Sequence, residues 1–275
     1  MNRALYCLRA FMIVSFLLFP LSAHSLLITN PDEIKVEGLV SFGEDGAAWL
    51  KWQNHEILVT SGYMIGKDLR VVAVRHDSVV LYRTASRQYH VLLPDTRLAA
   101  KDRTELIWTL PMPIWKLTRM VGMAYRKDYV CHHSTMAQNE VRRHVHNMES
   151  MMELVVAPHH RFYPRNGLVF VAPVHVDGTG WKHLMNRIQS YRSRTMAEYF
   201  PALENRGSLI SNGKSIDHAL QTIAFSTGVR ITWDKPVALP LWCALRDRPW
   251  HEIIEAIVIF NGLDVVVTRE GLEIR

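Results

Sequence analysis

The chain has 275 residues and 31.7 kDa, with 32 Lys and Arg against 26 Asp and Glu, a net charge of +6 and a pI of about 9.3. That length allows about two domains, and 48% hydrophobic content is ordinary for a globular protein. The basic residues are scattered, with no Lys/Arg block, which argues against a polyanion-binding tail and against nucleic acid as a partner.

In chain order, Arg3 and Arg9 precede an apolar run over 10–21, and Ala23-His24-Ser25 places small residues at the −3 and −1 positions of a cleavage site. The expectation is a secretory signal peptide over 1–25 and a periplasmic mature chain. Its apolar core falls short of the roughly 20 residues that span a bilayer. Cys7 precedes the run, so it is no lipid-attachment site.

Residues 34–93 alternate short β-type runs with polar turns. Strands are predicted over 36–41, 48–52, 55–60, 69–74, 79–82 and 89–93, which argues for a small antiparallel barrel or sandwich. The segments Val36-Glu37-Gly38-Leu39, Tyr63-Met64-Ile65-Gly66, Leu69-Arg70-Val71-Val72-Ala73-Val74 and Asp77-Ser78-Val79-Val80-Leu81-Tyr82-Arg83 resemble the periplasmic homology-region domain of type II secretion clamp proteins and pilus-assembly lipoproteins. Thr84 stands where that family has a glycine. The resemblance implies a domain that docks onto secretin modules.

A polar linker is expected over 94–101, and residues 105–205 form a mixed α+β region without an assigned fold. Trp108, Pro111, Pro113 and Trp115 open it irregularly. Ser134 is a candidate cap for a helix reaching about Met152, with Met136, Val141, Val145 and Met148 along one side. A β run over 167–176 and a turn at 178–180 precede a predicted helix from Trp181 to about Tyr199, with Leu184, Ile188 and Tyr191 on one face.

This region also concentrates residues able to bind metal: Cys131, His132, His133, His144, His146, His159, His160, His175 and His183. Imidazole and thiolate are zinc ligands, but no H-E-x-x-H, C-x-x-C or H-x-x-x-H spacing occurs. Adjacent pairs point apart in regular structure. No metal ligand, cofactor or catalytic residue is therefore assigned, and neither a nucleophile elbow nor a P-loop is present. Cys131 and Cys243 either pair or stand as separate buried thiols; the sequence leaves both open.

The last 69 residues, 207–275, carry the clearest pattern. Ser215 caps a helix with Ile216, Leu220, Ile223 and Ala224 on one face, and Gly228 stops it. Val229, Ile231 and Trp233 alternate as a strand, and a second run covers 238–245. A helix opening at Pro249 buries Ile253, Ile254, Ile257 and Val258 before Asn261-Gly262 ends it; a hairpin over 263–268 and 272–274 closes the chain. With Ala219, Leu220, Ile223, Ala224, Thr227, Gly228, Ile231 and Asp234, then Gly262, Leu263, Gly271 and Ile274, this βαββαββ order resembles the short N-terminal domain of secretins and TonB-dependent receptors. The resemblance implies a protein-docking module without catalytic residues.

The expected fold is thus α+β and multidomain, and the expected function is a non-enzymatic periplasmic scaffold or adaptor of a type II secretion or type IV pilus machine. Secretin-type or other envelope-machine proteins are the expected partners, with peripheral or outer-membrane association left open. The alternatives are a TonB-type signalling module and a His-rich metal-binding protein. Within the module, His218 and His251 are expected on solvated helix faces, and the last strand, around Glu273, is the candidate docking edge. N-terminal sequencing of exported protein should begin near Leu26; a chain still starting at Met1 and pelleting with membranes would point to an uncleaved anchor.

Overall fold

The computed structural model describes residues 30–42, 45–94, 105–135, 137–176, 179–190, 193–233 and 236–275. The expected signal peptide, most of the linker, and Met136, Tyr191 and Asp234 lie outside the described residues. The chain is α+β, with mostly antiparallel sheets. Among the described residues, no helix is long and apolar enough to cross a membrane.

Six strands of the first segment fall where alternation places them, and a short one at Met64–Ile65 is added. β1 (Lys35–Phe42), β2 (Asp45–Trp52) and β3 (His55–Thr60) form an antiparallel meander; β4 (Met64–Ile65), β5 (Leu69–Val74), β6 (Val79–Arg83) and β7 (Gln88–Leu92) form a second sheet in that order. Leu39, Leu50, Val59, Leu69, Val71, Val79 and Leu81 close one core between the two sheets. The first sheet is not confined to 34–93, however. β8 (Glu105–Thr109) pairs with β1, giving the order β12-β8-β1-β2-β3 once β12 (Arg142–His144) is added. Two strands expected in a separate middle region are therefore part of the N-terminal sheet.

Between them, β9 (Met112–Pro113) pairs with β11 (Gln138–Asn139), and α1 (Ile114–Ala124) follows β9 directly. The helix was hidden by Pro111, Pro113 and Trp115. Pro113 in fact occupies the position just before the first turn, where its missing N–H removes no helical hydrogen bond. Ile114, Leu117, Met120, Val121 and Ala124 are buried. They pack against Val40, Ala47, Trp49 and Leu58, the reverse face of the first sheet.

The other side of α1 meets a third sheet of order β13-β14-β10-β19-β17, built from β10 (Asp128–Cys131), β13 (His160–Arg165), β14 (Leu168–Pro173), β17 (Arg206–Ser215) and β19 (Pro240–Pro249). Tyr129, Cys131, Val169, Val171, Trp242 and Ala244 face α1, while Val130, Leu168, Phe170, Cys243 and Leu245 face away. Strands covered on both sides read as unbroken apolar runs. The middle region thus supplies the centre of a sheet that the last segment completes, and residues 207–275 share their core with it.

The helix expected from Ser134 begins much later. α2 (Met148–Val156) is capped by Asn147, whose side chain accepts from Ser150 N–H at 2.9 Å. Residues before it are drawn into strands because Arg142 and Arg143 pair with Trp108 and Ile107, and Val141 N–H donates to Thr109 Oγ1. After the ribbon of β15 (His175–Val176) and β16 (Thr179–Gly180) come α3 (Trp181–Ser190) and α4 (Arg194–Tyr199), two helices where one was expected.

The last segment shows the predicted order: α5 (Ile216–Thr227), β18 (Ile231–Trp233), α6 (Trp250–Val258), β20 (Val265–Val267) and β21 (Leu272–Ile274) around β17 and β19. Ser215 Oγ accepts from His218 N–H at 3.3 Å, and Gly228 closes α5 at φ +71°. Leu220, Ile223, Ile254 and Ile257 are all buried. They lie between two sheets rather than against one, because β18, β21 and β20 form a separate sheet in that order. β21 is its central strand: Leu272 pairs with Ile231 on one side and Val267 on the other. The last strand is therefore no docking edge, and proline at Glu273 would break the sheet itself.

Gly207 in β17 lets the Trp250 indole lie flat on the backbone. A Cβ there would come within 2.0 Å of the indole ring, so Gly207→Ala is expected to cost about 1–3 kcal/mol through overpacking. Chemical denaturation checks this; an unchanged midpoint would show that the indole packs elsewhere.

Candidate interaction surface

Among the described residues, the potential metal ligands do not converge. In β10 and β19, Val130 lies opposite Cys243 and Cys131 opposite Trp242. Successive strand residues face opposite ways, so Cys131 points toward α1 and Cys243 toward α5 and α6. Both are buried free thiols on opposite faces of one sheet, which answers whether they pair. Burial raises both thiol pKa values, that of Cys243 to about 12.

His132 is fully buried, with Nδ1 2.7 Å from Ser134 Oγ and its ring edge-on to Phe260. Burial, with a smaller contribution from His133, lowers its pKa from 6.5 to about 3. His133 donates its backbone N–H to Asn261 Oδ1 at 2.8 Å. His160 is buried, and its pKa is lowered by the same cause. His146, His159, His175 and His183 are exposed, and the His144 side chain lies outside the described residues. Among the described residues, no three His, Cys, Asp or Glu side chains gather to hold a metal ion.

In the last segment, His218 is exposed as expected, beside Lys214. His251 is not: it is 7% exposed, with Nδ1 3.0 Å from Ser193 Oγ and Nε2 3.6 Å from Glu204. It ties α6 to the elements before β17, so alanine there would remove a structural strut. Glu255 is half-buried; burial raises its pKa although Arg165 lies 3.1 Å away.

The feature that stands out is apolar surface. On the second sheet, alternation buries Ile65, Leu69, Val71, Val79, Leu81 and Leu92 on one side. The other side carries Met64, Val72, Val80, Tyr82, Tyr89 and Val91; Val80 is buried, and the rest are half-buried or exposed. Tyr89 is 67% and Val91 59% exposed, and the Tyr82 and Tyr89 rings lie 5.0 Å apart. Tyr63 and Leu93 extend the patch at its rim. Sequence reading missed it, although a signal was there: β6 and β7 are apolar at both parities of the alternation, which a sheet covered on one side does not need. Elsewhere Phe225 on α5 is 93% exposed, and Ile210 stands out from the edge strand β17.

The buried imidazole generates a pH dependence. The unfolded chain takes up a proton at His132 near 6.5, whereas the folded chain does so only near 3. The contribution is complete above 6.5 and is lost as pH falls toward 3, by about 1.4 kcal/mol per pH unit. His132→Phe should therefore lose less stability than wild type between about pH 7 and about pH 5 in urea unfolding; identical losses would mean that His132 is not held neutral. No protein-family model, curated protein or solved structure matches the chain.

Proposed function

We propose that the chain is a non-enzymatic docking component of a bacterial envelope machine, of the type II secretion or type IV pilus kind, acting in the periplasm on a secretin-type partner. The observation that carries this reading is the exposed apolar face of β4 to β7. Contiguous exposed apolar surface of this kind marks a protein contact. Tyrosine is also among the residues that dominate binding energy when a partner covers them.

Two further features support the reading. Residues 207–275 resemble the short N-terminal domain of secretins and TonB-dependent receptors, and their βαββαββ order accompanies that resemblance. Residues 34–93, which carry the apolar face, resemble a domain that docks onto such modules. Docking by shape requires no convergent acid–base pair, and several ionisable groups of the last segment are engaged in single ion pairs, such as Asp264 with Arg187, Asp247 with Arg206 and Arg230 with Glu270.

Crosslinking and affinity capture from envelope fractions test the proposal, with Tyr89→Lys and Val91→Lys as the variants. Both positions are exposed, so stability should change by no more than about 0.5 kcal/mol, while recovery of secretion or pilus components should fall sharply. Recovery unaffected by either charge, or capture of an inner-membrane signalling regulator instead, would defeat the reading.

A further inference from the structure

We infer that the cleft where the three segments of the chain meet is an oxyanion site for a phosphate-class group. This cleft, of about 590 Å³, lies between the end of α1, the start of β10 and the bulged part of β19, and Thr60 and Ser61 at the end of β3 also line it. Its volume is in the range of small-ligand sites. Arg126, Lys127, Arg246 and Arg248 line it together with a single carboxylate, Asp128.

Ion pairs such as Arg187–Asp264 and Arg230–Glu270 match one cation with one carboxylate. Here Asp128 is shared: its Oδ2 accepts from Arg248 Nε at 2.5 Å and its Oδ1 from Arg246 Nη1 at 3.4 Å. Arg248 is fully committed, donating also to Asn166 O at 3.1 Å and to Glu252 Oε2 at 3.3 Å. It acts as a fixed strut. Arg246 makes only the one long contact and keeps 41% of its side chain exposed, so the rest of its guanidinium fork is available to the cleft. Lys127 is exposed and makes no ion pair among the described residues.

The backbone holds this arrangement in place before any ligand arrives. Asp247, between the two arginines, sits at φ +48°; its N–H donates to Ser208 Oγ at 3.0 Å and its carboxylate pairs with Arg206. The register of β19 against β17 shifts at this point, a bulge that re-aims the neighbouring side chains. With Asp128 and Glu252 engaged by Arg248, the remaining donors of Arg246 and the Lys127 ammonium favour a dianionic oxygen group over a carboxylate. Such a dianionic group can also accept from an arginine fork through two oxygens at once.

The test uses the mature full-length chain with inorganic phosphate and glycerol phosphate, measured by calorimetry and by the rise in melting temperature, with acetate as the monoanion control. Saturable phosphate binding that weakens with added salt is expected. It should be weaker by about tenfold or more in the double variant Arg246→Gln, Lys127→Gln, and unchanged in Arg75→Gln, an exposed arginine away from the cleft. The exposed single variant Lys127→Gln should lose part of the affinity and serves if the double variant does not fold. Vesicles of phosphatidylglycerol against phosphatidylcholine separate the sources. Binding to the former that the double variant loses makes the group a lipid headgroup, and phosphate binding without vesicle binding makes it a soluble ligand. Absence of saturable binding at millimolar phosphate, acetate binding as tightly as phosphate, or full affinity in the double variant would overturn the inference.

Discussion

Everything in this molecule hangs on α1 being wanted on both sides. Its Trp115 stacks on Trp242 of β19, with ring centroids 5.8 Å apart and planes 16° apart, and meets Trp49 of β2 edge-on at 6.4 Å. Aromatic pairs in these geometries contribute beyond the area they bury. Lys116 and Arg119 extend the contact by placing their cationic ends over the Trp49 ring, and Lys116 also pairs with Glu56 of β3. One helix thereby holds a strand from the first segment and a strand from the last.

The consequence is a layered stack. The second sheet covers the first, α1 and α2 separate the first from the third, and α5 and α6 separate the third from the last three-stranded sheet. Interior sheets have no free face left, so recognition must use the ends of the stack, the open strand edges or the seams. The exposed face of β4 to β7 is an end, and the arginine-lined cleft is a seam. The edge strand β17 is less suited to accept a further strand, since bulges interrupt it near Gly207 and again near Asn212, and Arg206 and Lys214 flank it. Such features blunt strand addition. The docking proposed above is therefore face to face rather than edge to edge.

Polar groups in the interior follow the same geometry. His132, His160 and His251 looked like candidates for chemistry or for a solvated surface. Burial instead turns His132 and His160 into neutral imidazoles and His251 into a cross-brace to Ser193.

Features that depend on neighbours along the chain were legible before any folding. Alternating residues placed β1 to β3 and β5 to β7, Ser215 and Gly228 bounded α5, and Pro249 with Asn261-Gly262 bounded α6, because capping and pleat act over a few residues. Tertiary structure decided which strands met. β8 and β12 joined the first sheet, β10 paired with β19, and the helix expected from Ser134 gave way to strands where Arg142 and Arg143 found partners in β8. Those pairings set Cys131 and Cys243 on opposite faces, put β21 at the centre of its sheet and drew the cations around Asp128. Strand partners distant in sequence are chosen by the burial that the whole fold achieves, a quantity no local pattern contains.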